Sequence, residues 1–305
     1  MKMTDLLTIA LPVYKRTDFV REALDSAINQ TERCRILLID NNSPHYDFKE
    51  ILESYNDPYT TYVRMDETVP QDENFNNCFR YCETPWVTIL HDDDMLHCQF
   101  VENTRKILEE HGERVGGITY RSHVSDQVWS GIPVKNNDPL QIRQVEEAFF
   151  FFAHLTPFPG VVLKNKTALE LGGFVNDLHP IADFDFWYRY SMKEKMLLVE
   201  NPMAYYRISP NQSTNHLIAA MINNMYEYRL RLLENSSHNG FLARLALEDT
   251  RLTNIEYFKK TYTSVELPEH IVHEERMNRA KKLLKCRILK KLMRRKKVSL
   301  SFTSI

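Results

Sequence analysis

The run His91-Asp92-Asp93-Asp94 carries the side chains of this chain that are best suited to chemistry. It directly follows the apolar residues 86–90, which predict a buried strand. Three adjacent carboxylates repel one another, and a divalent cation with oxygen ligands relieves that repulsion. Because such a cation keeps positions open for phosphate oxygens, the run predicts a site for a metal ion and a diphosphate. The alternative is a solvated turn that caps a helix, but the position directly after a strand favours the metal site.

Two further sets of polar side chains lie beside predicted strands. Asp40, Asn41 and Asn42 stand at the end of a second apolar run. Asn74 and Asn77 lie on a predicted helix just before the strand that leads to the acidic run. Ligands of open parallel sheets bind outside the carboxyl ends of the strands. We therefore expect these residues and the acidic run to share one ligand site, with helix capping as the alternative role of the two helical asparagines.

Glycine usage limits how this chain can bind phosphate. Gly112 is the first of eight glycines, so the segment before it holds neither a Walker loop nor a G-x-G-x-x-G fingerprint. Both loops need residues without a Cβ, because their backbone approaches the phosphate closely. A metal clamp on the diphosphate is the predicted replacement for the missing glycine loop.

Composition excludes several classes of protein. The 305 residues are 43% hydrophobic and 11% aromatic, which excludes a wholly disordered chain. The short apolar run at the N-terminus predicts a buried strand and not a signal peptide. Five cysteines, an odd number, predict reduced thiols in a cytoplasmic protein. A zinc site made of Cys78, Cys82, His97 and Cys98 is an alternative. Cys78 and Cys82 stand four residues apart on a predicted helix, a spacing that favours packing in the core.

Strand and helix patterns alternate with short connections and predict an open α/β sheet with right-handed crossovers. The predicted strands cover 6–11, 35–40, 61–64, 86–90, 117–120 and 160–163. The predicted helices cover 18–30, 48–55, 73–82, 99–111, 145–152 and 184–195, followed by helical stretches over 215–262 and 269–297. We expect the first strand to stop at Pro12 and Thr17 to cap the first helix.

Five segments occur in an order that is typical of one enzyme family. They are PVY (12–14), IDNNS (39–43), ILHDDDML (89–96), LGGF with ADFDFWYR (171–174 and 182–189) and YRIS (206–209). In this order, over about residues 6–213, the chain resembles family 2 glycosyltransferases of the GT-A fold. The resemblance implies a mostly parallel α/β sheet flanked by helices and an inverting transfer of one sugar. It also implies a nucleotide-diphosphate donor, with a UDP-sugar favoured, and Mg²⁺ or Mn²⁺.

The resemblance assigns residues to the donor. Asp40 contacts the nucleobase together with Asn41, which replaces the second aspartate of the family and can still accept a hydrogen bond from a base N–H. Asp92 reaches the ribose or a metal-bound water, while the ion and the diphosphate belong to Asp93 and Asp94. The remaining residues implied to contact the nucleotide are Pro12, Val13, Tyr14, Asn74 and Asn77.

The resemblance also implies that Asp183 is the catalytic base. An inverting transfer needs a carboxylate that removes the proton of the acceptor hydroxyl as this oxygen attacks the anomeric carbon. Ala182 replaces the first acid of the family's acidic pair, and Asp185 either compensates for it or caps the following helix. Trp187 is expected to pack beneath that helix, with a stacking platform for a sugar as the alternative. Ser209 stands where relatives often place a metal-binding histidine, and His216 is too far along to replace it.

The predicted organisation is a GT-A domain over 1–213 and a helical extension over 214–305. The first part divides into a nucleotide-sugar half, 1–120, and an acceptor half, 121–213. In the extension, 276–297 holds 12 of the chain's 39 Lys and Arg residues and none of its 41 acidic ones. This basic segment is a solvated helix face, a nucleic-acid patch or an arm on anionic lipid. The arm is favoured, on the inner face of the plasma membrane, and no nucleic-acid partner is expected because no recognition motif accompanies the segment.

The implied acceptor is a hydroxyl of a surface glycan or of a lipid-linked glycan. The implied pathway is bacterial surface polysaccharide assembly, such as that of lipopolysaccharide or capsule. Two alternatives stay open. A catalytically inactive nucleotide-sugar-binding or scaffold protein would keep the fold but lose the acid cluster. A nucleotidyltransferase should carry a glycine-rich loop near its N-terminus.

Overall fold

A computed structural model describes residues 2–125, 139–152, 158–208, 214–237 and 240–261. Its strands are β1 Leu7–Val13, β2 Arg35–Asp40, β3 Thr60–Arg64, β4 Trp86–Ile89, β5 Met95–Leu96, β6 Gly117–Ser125, β7 Ile142–Gln144, β8 Val161–Lys164 and β9 Met196–Arg207. Its α-helices are α1 Val20–Ile28, α2 Phe48–Glu53, α3 Gln71–Arg80, α4 Phe100–His111, α5 Glu147–Phe152, α6 Asn165–Glu170, α7 Ala182–Lys193, α8 Thr214–Glu234 and α9 Phe241–Thr261.

The strands form one sheet in the order β3-β2-β1-β4-β8-β6-β9-β5, and β7 pairs with β9. The first four strands of this order run parallel, so their carboxyl ends meet at one edge of the sheet. At that edge Val13 stands opposite Asp40, and Ala10 stands opposite Ile89, the last residue of β4. The predicted open α/β sheet flanked by helices is therefore confirmed, and the predicted polar clusters at the ends of β2 and β4 share an edge.

Beyond β4 the sheet becomes mixed. β8 is antiparallel to both β4 and β6, while β6 and β9 run parallel. The 12-residue strand β9 was absent from the sequence prediction. It pairs with β5 in antiparallel fashion, with Met95 opposite Tyr205 and Leu96 opposite Ala204. This pairing places the end of β9 beside the segment that follows the acidic run.

Several predicted boundaries were wrong in instructive ways. β1 continues through Pro12, which stays in parallel register with Ile39. Proline removes one donor from the ladder but leaves an extended backbone intact, so the strand does not stop there. Helix α1 begins at Val20 with Phe19, and not Thr17, at its N-cap. β6 extends to Ser125 because β9 gives it a partner that the local sequence does not reveal.

The core of the sheet region consists of apolar strand residues and the inward faces of the helices. β1 is buried at every position, as is β4. On α1 the buried side chains include Val20, Ala23, Leu24 and Ala27, which recur at the spacing of one helix face. Burial of these residues fixes β4, whose end carries the acidic run, and the neighbouring strand β1.

By their contacts, the described residues fall into two units. One holds the sheet, over 2–125, 139–145 and 158–207, and the other holds 146–152, 208, 214–237 and 240–261. In the second unit α8 and α9 bury an apolar cluster made of Ile218, Ile222, Leu252, Ile255 and Phe258. Phe150 and Phe151 of α5 are fully buried. The predicted boundary at residue 213 stays a prediction.

Among the residues that the structure describes, none of the helices has the length and apolar character needed to cross a membrane. Ser209, the predicted helix over 269–297 and its basic segment 276–297 lie outside the described residues.

Candidate active site

The acidic run leaves the carboxyl end of β4 and turns inward. Asp92, Asp93 and Asp94 are only 6%, 5% and 0% exposed. One oxygen of Asp94, Oδ1, accepts a hydrogen bond of 2.9 Å from the backbone N–H of Arg207. The other oxygen, Oδ2, is buried without a hydrogen-bond partner in the described part of the chain, and Nδ1 of His91 lies 3.5 Å from it. A solvated turn is thus excluded, because these carboxylates face the protein.

The geometry and the charges of this cluster fit a divalent cation. His91, Asp93 and Asp94 each offer one ligand atom, and these atoms lie within 4.8 Å of one another. Burial, and then the charge of Asp93, raise the pKa of Asp94 well above its usual range. Burial also raises the pKa of Asp92 to about 7 and lowers that of His91 to about 4. A neutral imidazole and buried carboxylates whose negative charge is only partly balanced by nearby cations form a donor set for such an ion.

Arg16 was not predicted as a site residue, yet it is the cation nearest to two of the acids. Its Nη1 lies 3.0 Å from Oδ2 of Asp93, and its Nη2 pairs with Oδ1 of Asp92. It stands in the connection from β1 to α1, two residues after the PVY segment. That position was the available signal, because the carboxyl ends of β1 and β4 are neighbours.

Arg207, at the end of β9, was also missed as a site residue. Its Nε donates to the backbone carbonyl of Asp93 over 2.9 Å, and its Nη2 donates to Glu22 over 2.5 Å. The guanidinium lies 4.0 Å from the centre of the Phe19 ring. Together with the backbone bond to Asp94, these contacts hold the acidic run in place. Arg207 is the arginine of the YRIS segment, so the motif contained the signal.

The predicted nucleobase residues are engaged with the protein itself. Asp40 is fully buried and accepts hydrogen bonds from the backbone N–H of Ser43, the Tyr62 hydroxyl and the Arg64 guanidinium, at 2.9, 2.8 and 2.8 Å. Asn41 exchanges two hydrogen bonds of 2.9 Å with the backbone of Val69. Both residues order the loops around the end of β2, and a direct contact of either with a base stays a prediction.

The PVY segment stands next to these loops. Pro12 and Val13 are buried in β1, while Tyr14 is half-buried at its end. The ammonium of Lys15 lies 4.5 Å from the centre of the Tyr14 ring. Lys15 itself has a φ of 60° and donates its backbone N–H to the Ser43 hydroxyl. This bond joins the connection after β1 to the loop after β2.

Asn74 and Asn77 lie on one face of α3 and are buried. The Oδ1 atom of Asn74 and the Nδ2 atom of Asn77 have no hydrogen-bond partner within the described ranges. The other side-chain atom of Asn77, Oδ1, accepts a bond of 2.8 Å from Arg80. Helix capping is wrong for Asn74, since α3 begins at Gln71 with Pro70 as its N-cap. Two unsatisfied buried polar atoms are consistent with a polar ligand nearby.

Asp183 lies in the first turn of α7 and is half-buried. Its Oδ1 accepts a bond of 2.7 Å from the backbone N–H of Phe184. Burial raises the pKa of Asp183 to about 6, and the nearby Asp72 contributes to this shift. Asp72 in turn lies 3.3 Å from Nδ1 of His179. A carboxylate with this pKa is ionised at neutral pH and still basic enough to accept a proton.

Asp185, considered as a replacement for the missing acid at Ala182, is paired with an arginine of its own helix. Its carboxylate accepts a bond of 2.7 Å from Nε of Arg189, four residues on. Arg189 then donates to the carbonyls of Leu171 and Gly173 at 2.9 and 2.7 Å. Asp185 therefore acts on the LGGF turn through Arg189, a role that depends on packing and was not visible in the sequence.

The LGGF turn connects α3 to an aromatic cluster. Gly173 has a φ of 67°, and a Cβ there would lie 2.0 Å from Oδ1 of Asn76, so only glycine fits. Asn76 pairs with the backbone N–H and carbonyl of Phe174 at 2.7 and 3.0 Å. The Phe174 ring contacts Trp187, which is buried, so the packing interpretation of Trp187 is confirmed.

The same cluster reaches the candidate metal ligand. The imidazole of His91 stacks on Phe75 with ring centres 5.1 Å apart and contacts Phe158 at 4.5 Å. Phe174 contacts both of these rings. Phe174 of the LGGF segment is thus linked to His91 of the acidic run through Phe75 and Phe158. Cys78 and Cys82 are buried thiols of the core, and burial raises the pKa of Cys78.

Known proteins resemble this chain in sequence. The family model described as Glycosyl transferase family 2 matches residues 8–162. An uncharacterized glycosyltransferase of Haemophilus influenzae is 25% identical over 185 residues, which are 59% of this chain and 60% of that protein.

Two solved structures resemble the fold of this chain. The crystal structure of S. aureus TarS 1–349 in complex with UDP has a TM-score of 0.57 at 14% identity, over 95% of this chain and 91% of that one. Mannosyltransferase PcManGT from Pyrobaculum calidifontis, in complex with GDP-Man and Mn²⁺, has a TM-score of 0.58 at 14% identity, over 94% and 86%. The likeness covers the sheet and the helices that follow it, and it confirms the predicted GT-A type of fold.

Proposed function

Since this chain belongs to glycosyl transferase family 2, we propose that it transfers one sugar, with inversion, from a nucleotide-diphosphate donor to a hydroxyl of a surface glycan or lipid-linked glycan. A UDP-sugar is the favoured donor. TarS 1–349 in complex with UDP and PcManGT in complex with GDP-Man support this class of donor, as proteins of similar fold. Membership of the family favours glycosyl transfer over nucleotidyl transfer.

The observation that carries the proposal is the buried acidic cluster at the end of β4. His91, Asp93 and Asp94 would hold Mg²⁺ or Mn²⁺, since they form the group of close ligand atoms found among the described residues. When bound, this ion supplies positive charge that stabilises the departing diphosphate. The Asp94 oxygen that lacks a hydrogen-bond partner supports this assignment, because a buried unpaired carboxylate oxygen is costly without a partner.

The chain's own residues supply the remaining roles. Pro12, Val13 and Tyr14 would line the base pocket beside the loop that Asp40 and Asn41 order. The unsatisfied polar atoms of Asn74 and Asn77 would bind the nucleotide, and Asp92 would face the ribose side of the cluster. The assignments of Pro12, Val13, Tyr14 and Asp92 rest on the shared edge at which β1 and β4 end and on the family resemblance. Those of Asn74 and Asn77 rest on their unsatisfied atoms and on the resemblance.

Asp183 would act as the general base. It would accept the proton of the acceptor hydroxyl as that oxygen bonds to the anomeric carbon, while the bond to the diphosphate breaks on the opposite face. Its raised pKa of about 6 supports this role, since a stronger base accepts the proton more readily. The backbone N–H of Phe184 fixes the position of this carboxylate through its Oδ1.

Thermal unfolding with a panel of nucleotides tests the proposal. UDP, GDP and their sugars are each added with Mn²⁺ or with a chelator, at about 100 times the dissociation constant. Binding then stabilises the fold by roughly 3 kcal/mol, which raises Tm by about 6–12 °C. Asp94→Asn should lose the Mn²⁺-dependent part of this shift.

Asp57→Asn is the matched control. The Asp57 carboxylate is also little exposed, and it pairs with Arg33. Asp57 lies before β3, at the edge of the sheet opposite to the acidic run. The variant should keep the full Mn²⁺-dependent shift. No Mn²⁺-dependent shift in the wild type, or equal shifts in wild type and Asp94→Asn, would contradict the proposed metal-diphosphate site.

A lipid-linked acceptor lies at a membrane surface. We therefore include in the proposal that the basic segment 276–297 binds anionic lipid. Sedimentation with phosphatidylserine vesicles should retain the full chain and release a variant that lacks residues 276–305, whereas phosphatidylcholine vesicles should retain neither. Equal retention of both chains on the anionic vesicles would contradict a membrane role for this segment.

A further inference from the structure

Two arginines contact the acidic cluster, and they differ in how they are held. The Arg207 side chain is 6% exposed and is fixed by the Asp93 carbonyl, by Glu22 and by the face of Phe19. The Arg16 side chain is 42% exposed and bridges the carboxylates of Asp92 and Asp93. Arg207 is therefore built into the fold, whereas the Arg16 guanidinium lies on the solvent side of the cluster.

The Arg16 bridge occupies a group that the candidate metal site also uses. Oδ2 of Asp93 is 3.0 Å from Nη1 of Arg16, and Asp93 belongs to the set of close ligand atoms with His91 and Asp94. A guanidinium and a divalent ion repel each other at this range. Each therefore weakens the binding of the other to the Asp93 carboxylate. The two cations therefore compete for Asp93.

The connection that carries Arg16 is anchored by its backbone and not by its side chain. The backbone N–H of Arg16 donates to the Tyr14 carbonyl over 2.8 Å, and that of Lys15 donates to the Ser43 hydroxyl over 3.0 Å. The long side chain beyond this anchor can change partner without any change in the loop. A guanidinium binds carboxylates and phosphates with the same planar pair of N–H groups, so a diphosphate is a fitting second partner.

We propose that Arg16 is a built-in counter-cation of the acidic cluster, which a divalent ion displaces and which then binds the diphosphate of the donor. This inference rests on the proposed function, whose metal and diphosphate it couples. In the free protein the Arg16 bridge offsets the charge of Asp92 and Asp93. In the donor complex the metal ion takes over that charge, and Arg16 exchanges its carboxylate partners for phosphate oxygens.

This exchange makes the binding of metal and nucleotide cooperative. A metal ion that binds without nucleotide breaks the Arg16 bridge and leaves Arg16 with no new partner. The affinity of the protein for the ion alone is therefore lowered. A nucleoside diphosphate gives Arg16 a new partner and so raises the affinity for the ion, and by linkage the ion raises the affinity for the nucleotide equally. Loss of the Arg16 charge should strengthen the binding of Mn²⁺ alone and weaken the coupling.

Calorimetric titration with Mn²⁺, alone and in the presence of UDP, measures both effects. Arg16→Ala should bind Mn²⁺ alone about fivefold more tightly than the wild type, the effect expected of a partly exposed ion pair. The increase in Mn²⁺ affinity caused by UDP should fall by at least the same factor. Arg16→Gln keeps a hydrogen-bonding side chain without the charge and should behave like Arg16→Ala.

Arg33→Ala is the matched control, since Arg33 pairs with Asp57 at the other edge of the sheet and its side chain is 46% exposed. It should leave Mn²⁺ affinity and coupling as in the wild type. Unchanged or weaker binding of Mn²⁺ alone in both folded Arg16 variants would overturn the counter-cation role while leaving the metal site intact. Absence of Mn²⁺ binding to the wild type, with and without UDP, would overturn the proposed metal site and this inference together.

Discussion

Replacement of Arg207 by methionine tests whether the end of β9 positions the acidic run. Methionine keeps much of the apolar length of arginine but removes the guanidinium. The variant loses the bond to the Asp93 carbonyl, the pair with Glu22 and the contact with the Phe19 ring. The bond from the backbone N–H of residue 207 to Asp94 does not need the side chain.

The size of the effect follows from these three contacts. A buried hydrogen bond from a charged donor contributes about 1.5–3 kcal/mol. The cation–π contact adds roughly 0.5–2 kcal/mol, and the pair with the half-exposed Glu22 adds up to about 1 kcal/mol. Because methionine recovers some packing, we expect a loss of about 3 kcal/mol in the free energy of unfolding. For the unit that holds the sheet, over 2–125, 139–145 and 158–207, this loss corresponds to a Tm lower by roughly 6–12 °C.

Thermal unfolding with and without Mn²⁺ and UDP measures both consequences. Arg207→Met should lower Tm, and the remaining fold should show a smaller ligand-dependent shift because Asp93 and Asp94 are less well placed. Arg121→Met is the control, since Arg121 forms a partly exposed pair with Glu200 and should cost less than about 1 kcal/mol. Equal Tm losses in the two variants, or an unchanged ligand-dependent shift in Arg207→Met, would refute the positioning role.

Three further predictions concern catalysis and the LGGF turn. Asp183→Asn should lower turnover by about 10²–10⁴-fold while calorimetry shows unchanged donor affinity, and equal losses of both would contradict its role as the base. With a pKa of about 6, the wild-type base loses its ionised form as pH falls, so the transfer rate at pH 5 should be about a tenth of its maximum. Gly173→Ala should lower the free energy of unfolding in urea by more than about 2 kcal/mol, because its Cβ would lie 2.0 Å from Asn76. Gly172→Ala, where a Cβ meets nothing within 4 Å, should cost about 1 kcal/mol for its positive φ alone, and equal costs would contradict the steric explanation.

Local patterns were sufficient to predict the parallel half of the sheet. The strands β1, β2 and β4 are short apolar runs, and the helices between them have apolar residues at helical spacing, so the alternation is visible without any knowledge of contacts. The acidic run could be placed for the same reason, because it follows directly on β4. Strand β9 could not be predicted in this way. Its middle, Glu200-Asn201-Pro202, interrupts the apolar pattern, and the pairing with β6 shifts register on either side of Arg121, the partner of Pro202.

The roles of individual side chains also divide into those that adjacent residues reveal and those that depend on tertiary contacts. The sequence alone determined that three acids follow a buried strand and that the chain lacks an early glycine loop, since both facts depend on residue types at adjacent positions. Only the tertiary structure decided that Arg16 bridges two of those acids, that Asp185 acts through Arg189 and that Arg207 holds a loop 114 residues earlier in the chain. These contacts depend on which strands are neighbours and in which register, and packing of the whole sheet sets that register.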